Sequence, residues 1–186
     1  MIYDDGLATP EEVLAFWFDE LTVDDWFRKS DELDQLIARR FTATHLALAF
    51  HVDEIWRMAP INRLAAVIVL DQFPRNIYRG TPHAFATDPL ALNEARTAVD
   101  AGMDQMVEVG RRQFFYMPFE HSEKPDDQER SVALFTALGN ENYLDYARQH
   151  QAVIAEYGRF PHRNPILGRH STHAEEAYLA KEDAGF

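Results

Sequence analysis

The stretch LAAVIVL, Leu64 to Leu70, decides the fold. Seven apolar residues in a row leave no polar face, so the segment is buried on every side, either as a helix or as a central strand. The paired alanines and the helical signals on both flanks select the helix. The word DQFPRN, Asp71 to Asn76, comes directly after it. Pro74 cannot continue a helix without losing a hydrogen bond, and it disfavours helical geometry at Phe73, which makes Phe73 the anchor of a turn. A related word, GRFPHRN, returns at Gly158 to Asn164.

Upstream, Thr9-Pro10-Glu11-Glu12 starts a helix, with Thr9 as N-cap, Pro10 in the first turn and Glu12 placed to close a capping box. Leu14, Trp17, Phe18 and Leu21 follow with helical spacing. Ser30-Asp31-Glu32 opens a second helix whose apolar face runs Leu33, Leu36, Ile37, Phe41, Leu48 and reaches about Phe50. Downstream, Thr81-Pro82 and Asp88-Pro89 repeat the cap-then-proline signal, the second helix ending at Gly102. Asp126 to Glu129 is a further capping-box candidate, before Val132, Phe135 and Leu138 with Gly139 as stop. Tyr143, Ala147, His150, Ile154 and Tyr157 form a stripe closed by Gly158, and Thr172 to Glu175 offers a last box before Tyr178 and Leu179. Seven or more helices without a hairpin signal predict an all-α array in one domain spanning residues 1–186. Trp17, Trp26, Trp56 and Phe114 to Tyr116 are expected in the core or along a cleft wall.

The chain has 186 residues, enough for one domain with a full core, and a formal charge of -13. That charge repels phosphate backbones and anionic lipid, so neither nucleic acid nor membrane is an expected partner. No apolar run reaches the ~18 residues of a membrane helix, and the acidic start lacks the zones of a signal peptide, which predicts a cytoplasmic protein. With no cysteine there is no disulfide, thiolate nucleophile or cysteine-held zinc. The charge is unevenly spread. Residues 62–83 hold Arg63, Arg75 and Arg79 against Asp71 alone, and residues 158–173 hold Arg159, Arg163 and Arg169 with no acid. Only three of the 18 basic residues are lysine, and arginine is the residue suited to forked pairing with carboxylate or phosphate.

Longer words accumulate along the chain: EEVLAFWFDE near the start, LAAVIVLDQFPRNIYRGTPHAFATD, FFYMPFEHSE followed by DDQERSVALF, and YGRFPHRNPILGRHST before EEAYL. In this order they resemble the bacterial family known as domain of unknown function 924, over about Pro10 to Leu179. The resemblance implies a tetratricopeptide-like fold of stacked antiparallel helix pairs in a right-handed arc, and no established activity.

The residues themselves suggest a site. Two rigid turns holding Arg75, Asn76, Arg163 and Asn164 around one cleft would offer forked donors to an anionic small molecule or peptide. The plainer reading is that each pair satisfies carbonyls at a helix end, where positive charge is favoured. Asp71 and Arg75, four apart, are explained by a local ion pair worth under ~1 kcal/mol if exposed. In PFEHSEKP, Pro118 to Pro125, two prolines argue against a helix, and an extended backbone would point His121 and Glu123 to one side, as acid and base or as two metal ligands. His162 lies among cations that would keep it neutral unless a carboxylate pairs with it, and Glu123 is the expected partner. His150, on an apolar stripe, reads as a hydrogen-bonded core histidine. No HExxH, phosphate loop, dinucleotide fingerprint, GxSxG or calcium loop is present, and neither metal nor cofactor is expected; His170 and His173 lie around a predicted cap. Three functions therefore stay open: an anion- or peptide-binding cleft of Arg75, Asn76, His121, Glu123, His162, Arg163 and Asn164; an enzyme using His121 or Glu123, with His162 as a further candidate; or a purely structural lock.

Overall fold

The computed structural model describes residues 6–181 and Gly185. Among the described residues the regular structure is entirely helical. The first helix, α1 (Pro10–Ala15), carries the reciprocal Thr9–Glu12 capping box and continues as a π-helical turn, Phe16–Glu20. A short α2 (Val23–Phe27) is capped by Thr22 and leads to α3 (Asp31–Phe50), which Ser30 caps. Ile37, Phe41 and Leu48 of α3 are buried, as their spacing requires.

Then α4 (Glu54–Arg57) precedes α5 (Pro60–Asp71), the LAAVIVL segment. Each of Leu64 to Leu70 is fully buried, because α1, α3, α4, α7 (Asp88–Asp100) and α8 (Gln113–Glu120) all pack around α5. An enclosed central helix has a consequence at its end. Asp71, its last residue, is as buried as the leucines before it.

Phe73 opens α6 (Phe73–Ile77), so the Phe-Pro step begins a short helix rather than a plain turn. Its ring is fully buried against Phe41 at 4.6 Å, Trp17 at 5.6 Å and Phe16 at 6.2 Å between centroids. Proline serves at the start of a helix, where its missing N–H would have no intrahelical partner. Trp17, Trp56 and Phe114 to Tyr116 are core residues, and Trp26 packs beside them, donating from its indole to the Trp17 carbonyl at 2.8 Å.

Four local expectations are corrected. The PFEHSE segment is not extended: α8 runs through Pro118 to Glu120, with His121 as its C-cap. All eight residues of α8 are buried, and each fully buried phenylalanine contributes about 1.5–3 kcal/mol, against about 3 kcal/mol for an internal proline. Phe114, Phe115 and Phe119 together outweigh Pro118. Second, Asp88 is not an N-cap but the first helical residue of α7; Thr87 precedes it, and its hydroxyl donates to the Leu70 carbonyl at 2.7 Å. Third, Asp126 to Glu129 form no capping box. The helix α9 (Pro125–Leu138) begins earlier, and the Asp127 carboxylate instead accepts from Arg96 and, at 2.8 Å, from Ser122. Thr81-Pro82 opens only a 3-10 turn, Pro82–Phe85.

The remaining chain obeys its local signals. Gly139 ends α9 with φ 76° and Gly158 ends α10 (Glu141–Tyr157) with φ 70°, left-handed positions that favour glycine. A 3-10 turn, Pro161–Arg163, then runs into α11 (Asn164–Leu167), and the Thr172–Glu175 box starts α12 (His173–Leu179). No helix of the described residues is long and apolar enough to cross a membrane.

Candidate functional site

The ends of five elements converge on a buried ring of contacts. From α5 comes Asp71, from α6 Arg75, from the start of α7 Asp88, from the end of α8 Glu120 and His121, and from the Pro161–Arg163 turn Arg163. Arg75 forks onto Asp88 at 2.9 and 3.2 Å, donates to the Asp71 carbonyl, and lies 3.6 Å from the Asp71 carboxylate. The local Asp71–Arg75 pair is thus the weaker part of a longer-range clamp, and it is buried rather than exposed. Asp71 Oδ1 lies 2.8 Å from His121 Nδ1, and Asp71 Oδ2 accepts from the Gln72 amide at 2.6 Å.

Arg163 closes the ring from the other side. Its guanidinium lies 4.6 Å from the ring centroids of both Phe85 and Phe160. It touches Asp88 at 3.4 Å. Phe160 neighbours His150 at 5.5 Å between centroids, and His150 neighbours His121 at 6.4 Å, which completes the circuit. Along it the side-chain exposures are 9% for Arg163, 15% for His121, 16% for Asp88 and 20% for Arg75, so the rim meets solvent while Asp71, at 1%, does not.

Burial and charge set the protonation states. Burial would raise the Asp71 carboxyl, but the charge of Arg75 and the His121 and Gln72 hydrogen bonds hold it well below the usual carboxylate range. Asp71 is therefore ionised and only accepts, so His121 Nδ1 carries the proton. Burial, aided by Arg75, pushes His121 below its ordinary value despite Asp71, which keeps the imidazole neutral. Burial and the Asp71 charge push Glu120 up to about 8. Two carboxyls next to each other cannot both ionise cheaply, and Glu120 is the one that keeps its proton. His150 is pushed down to about 3 by burial, and its Nδ1 donates to the Tyr146 carbonyl at 2.9 Å. Its 3.2 Å approach to Glu120 is hence a contact between neutral groups, not an ion pair.

The other expected residues separate. Asn76 points away to Asp34, donating at 2.8 Å, where Arg79 also binds, and so ties α6 to α3. Asn164 is fully buried, accepting from Arg169 at 2.9 Å and donating to Ser171 at 3.1 Å. Glu123 is not the partner expected for His162. Both its oxygens take Arg169, at 2.8 and 3.0 Å, and one accepts the Phe160 N–H at 2.8 Å. Burial opposes ionisation of Glu123, but those hydrogen bonds hold its pKa down. His162 sits beside this lock, pushed down to about 4 by burial and the neighbouring Arg163. Asp88, Phe85 and Gln72 were missed from the sequence. Asp88 lies 13 residues from Arg75 and 75 from Arg163, beyond any local spacing rule.

Among the described residues no group of three or more His, Asp or Glu side chains is placed to hold a metal ion. A groove of about 460 Å³ lies elsewhere, between Val23, Asp24, Phe27, Arg28, Asn142 and Tyr143, without converging buried charges.

Comparison with known proteins gives the same picture of a fold without a stated activity. A family model described as a bacterial protein of unknown function, DUF924, matches residues 13–183. A solved structure of a protein of unknown function from Agrobacterium tumefaciens is 40% identical, with a TM-score of 0.87, covering 92% of this chain and 96% of that one. No curated protein matches.

Proposed function

The chain belongs to the bacterial DUF924 family, and from that premise of fold without assigned chemistry we propose that the Arg75–Arg163 ring binds a small anionic molecule, a carboxylate or a phosphate. Arg163 carries this reading. It is nine-tenths buried, its acid contact is a 3.4 Å approach to an aspartate already forked onto Arg75, and its Nε is buried without a hydrogen-bond partner among the described residues. Burial and the charge of Arg75 push its pKa down to about 10, against the opposing pull of Asp88, Glu123 and Asp71. An anion would supply the acceptor that the Arg163 Nε lacks.

The charges support a small ligand. Arg75 and Arg163 balance Asp71 and Asp88, with Glu120 and His121 neutral, so the ring does not attract polyanions over a distance, and the overall charge of -13 repels them. A tetratricopeptide-like arrangement of helix pairs would also present the carboxylate end of a peptide to the same arginine. The structural-lock reading is favoured for Arg75, whose two terminal nitrogens are engaged by the fork to Asp88.

The test is a thermal-shift and calorimetry screen with sulfate, inorganic phosphate, succinate and citrate. An anion at 100 times its Kd stabilises by about 2.7 kcal/mol, and Arg163→Met removes this shift. No shift from any of the four, together with collapse of the fold in Arg163→Met, would establish the lock instead.

A further inference from the structure

Asp71 and His121 form a unit that anion binding alone does not use. The carboxylate is enclosed, ionised and 2.8 Å from Nδ1, so the ring is held in the tautomer that leaves its lone pair on Nε2. Nε2 has no hydrogen-bond partner among the described residues, and the side chain is partly open to solvent. A neutral imidazole fixed by a buried carboxylate is the arrangement of a general base, because the carboxylate both orients the ring and stabilises the imidazolium that forms. The hydroxyl next in sequence, Ser122, donates to Asp127 at 2.8 Å, so water is the nucleophile such a base would serve.

We propose that, resting on the anion site above, His121 Nε2 activates water for hydrolysis of a small anionic ester whose charged group is held by Arg163. His121 is the catalytic residue and Asp71 its positioning residue. Water gives a proton to Nε2 as its oxygen bonds to the acyl carbon or phosphorus. The bond from that atom to the leaving oxygen breaks, its electron pair leaves with the oxygen, and the oxygen takes the proton from Nε2. Ester and water become acid and alcohol, and His121 returns to the neutral form. The Arg75 guanidinium, whose charge acts on His121, favours the developing negative charge, an electrostatic arrangement that lowers such barriers.

Carboxylate and phosphate esters share this chemistry, and two probes separate them: mono-4-nitrophenyl glutarate and 4-nitrophenyl phosphate, with neutral 4-nitrophenyl acetate as reference. The protein is expected to release nitrophenolate from one anionic probe above the buffer rate and in preference to the acetate. His121→Gln lowers that rate by about 10²- to 10⁴-fold while keeping sulfate binding and its melting temperature. Asp71→Asn moves the acid limb of the pH–rate profile to lower pH, since the imidazolium loses its counter-charge; where that variant does not fold, Asp71→Glu takes its place. His121 faces Asp71, Arg75, Asp88, His150 and His162, and only the Asp71 change removes the charge bonded to Nδ1. Sulfate binding without turnover of either probe overturns the proposal, as does His121→Gln at the wild-type rate. Failure of every anion to bind overturns the anion site itself, a separate result.

Discussion

Arg75 and Arg163 each follow a buried phenylalanine and a proline, and both reach Asp88, yet their surroundings differ. Arg75 forks onto Asp88 and also donates to the Asp71 carbonyl. Arg163 has a 3.4 Å contact to an already engaged oxygen, two aromatic faces and an orphan Nε. Nearly the same word thus gives one closed ion pair and one cation with spare donors. The difference comes from α7, which aims the first residue of its helix at Arg75 and leaves Arg163 the far edge. Satisfaction, not motif, separates a structural arginine from a binding one.

The sharpest way to break this contrast is to remove each arginine. Arg75→Ala leaves Asp71 and Asp88 without their main cation and is expected to cost about 3–5 kcal/mol in urea unfolding. Arg163→Met keeps the stem between Phe85 and Phe160 and removes an undercompensated charge, with a change within about 1–2 kcal/mol. Equal losses would erase the distinction.

The two halves also titrate in opposite senses. On the Arg75 side, Glu120 is raised from 4.5 to about 8, so its stabilising proton is fully present below pH 4.5 and lost as pH rises through about 8. On the Arg163 side, His150 and His162 are depressed from 6.5 to about 3 and about 4, so their contribution is present above pH 6.5 and lost as pH falls. Unfolding midpoints followed across pH should show Glu120→Gln flattening the slope between pH 4.5 and 8, and His150→Gln flattening the acid slope. A Glu120→Gln profile that parallels the wild type would show that Glu120 is ionised and paired.

Much of the fold was legible because helix ends are local events. The Thr9 and Thr172 boxes, the Ser30 start, and Gly139 and Gly158 as stops depend on four or five adjacent residues. LAAVIVL was readable because total burial leaves no pattern but apolarity. The misreadings share a cause. Asp88 and Asp127 carry cap-forming side chains, yet distant arginines and Ser122 take their carboxylates, and Pro118 is held in a helix by neighbours from other elements. Of the site, His121, Arg75 and Arg163 were visible as residue types, while their shared aspartates were not, since the chain brings Asp88 to Arg163 across 75 positions.

The asparagines give the finest test, because each follows one of the two arginines and neither enters the ring. Asn76 is half-buried, donating to Asp34, which Arg79 holds independently, so Asn76→Ala removes one of several bonds at a rim and is expected to cost about 0.5–1.5 kcal/mol. Asn164 is fully buried, and its loss leaves Ser171 and the Arg169 Nε without their partner beneath the Glu123 lock, about 1–3 kcal/mol. Sulfate affinity should stay unchanged in Asn76→Ala. In Asn164→Ala it should fall only as far as the loop carrying Arg163 loosens, which calorimetry at two temperatures would expose as a loss growing with heat. If Asn76→Ala weakened sulfate as much as Arg163→Met does, the binding half of the molecule would lie on α6, and the assignment of the two arginines would have to be exchanged.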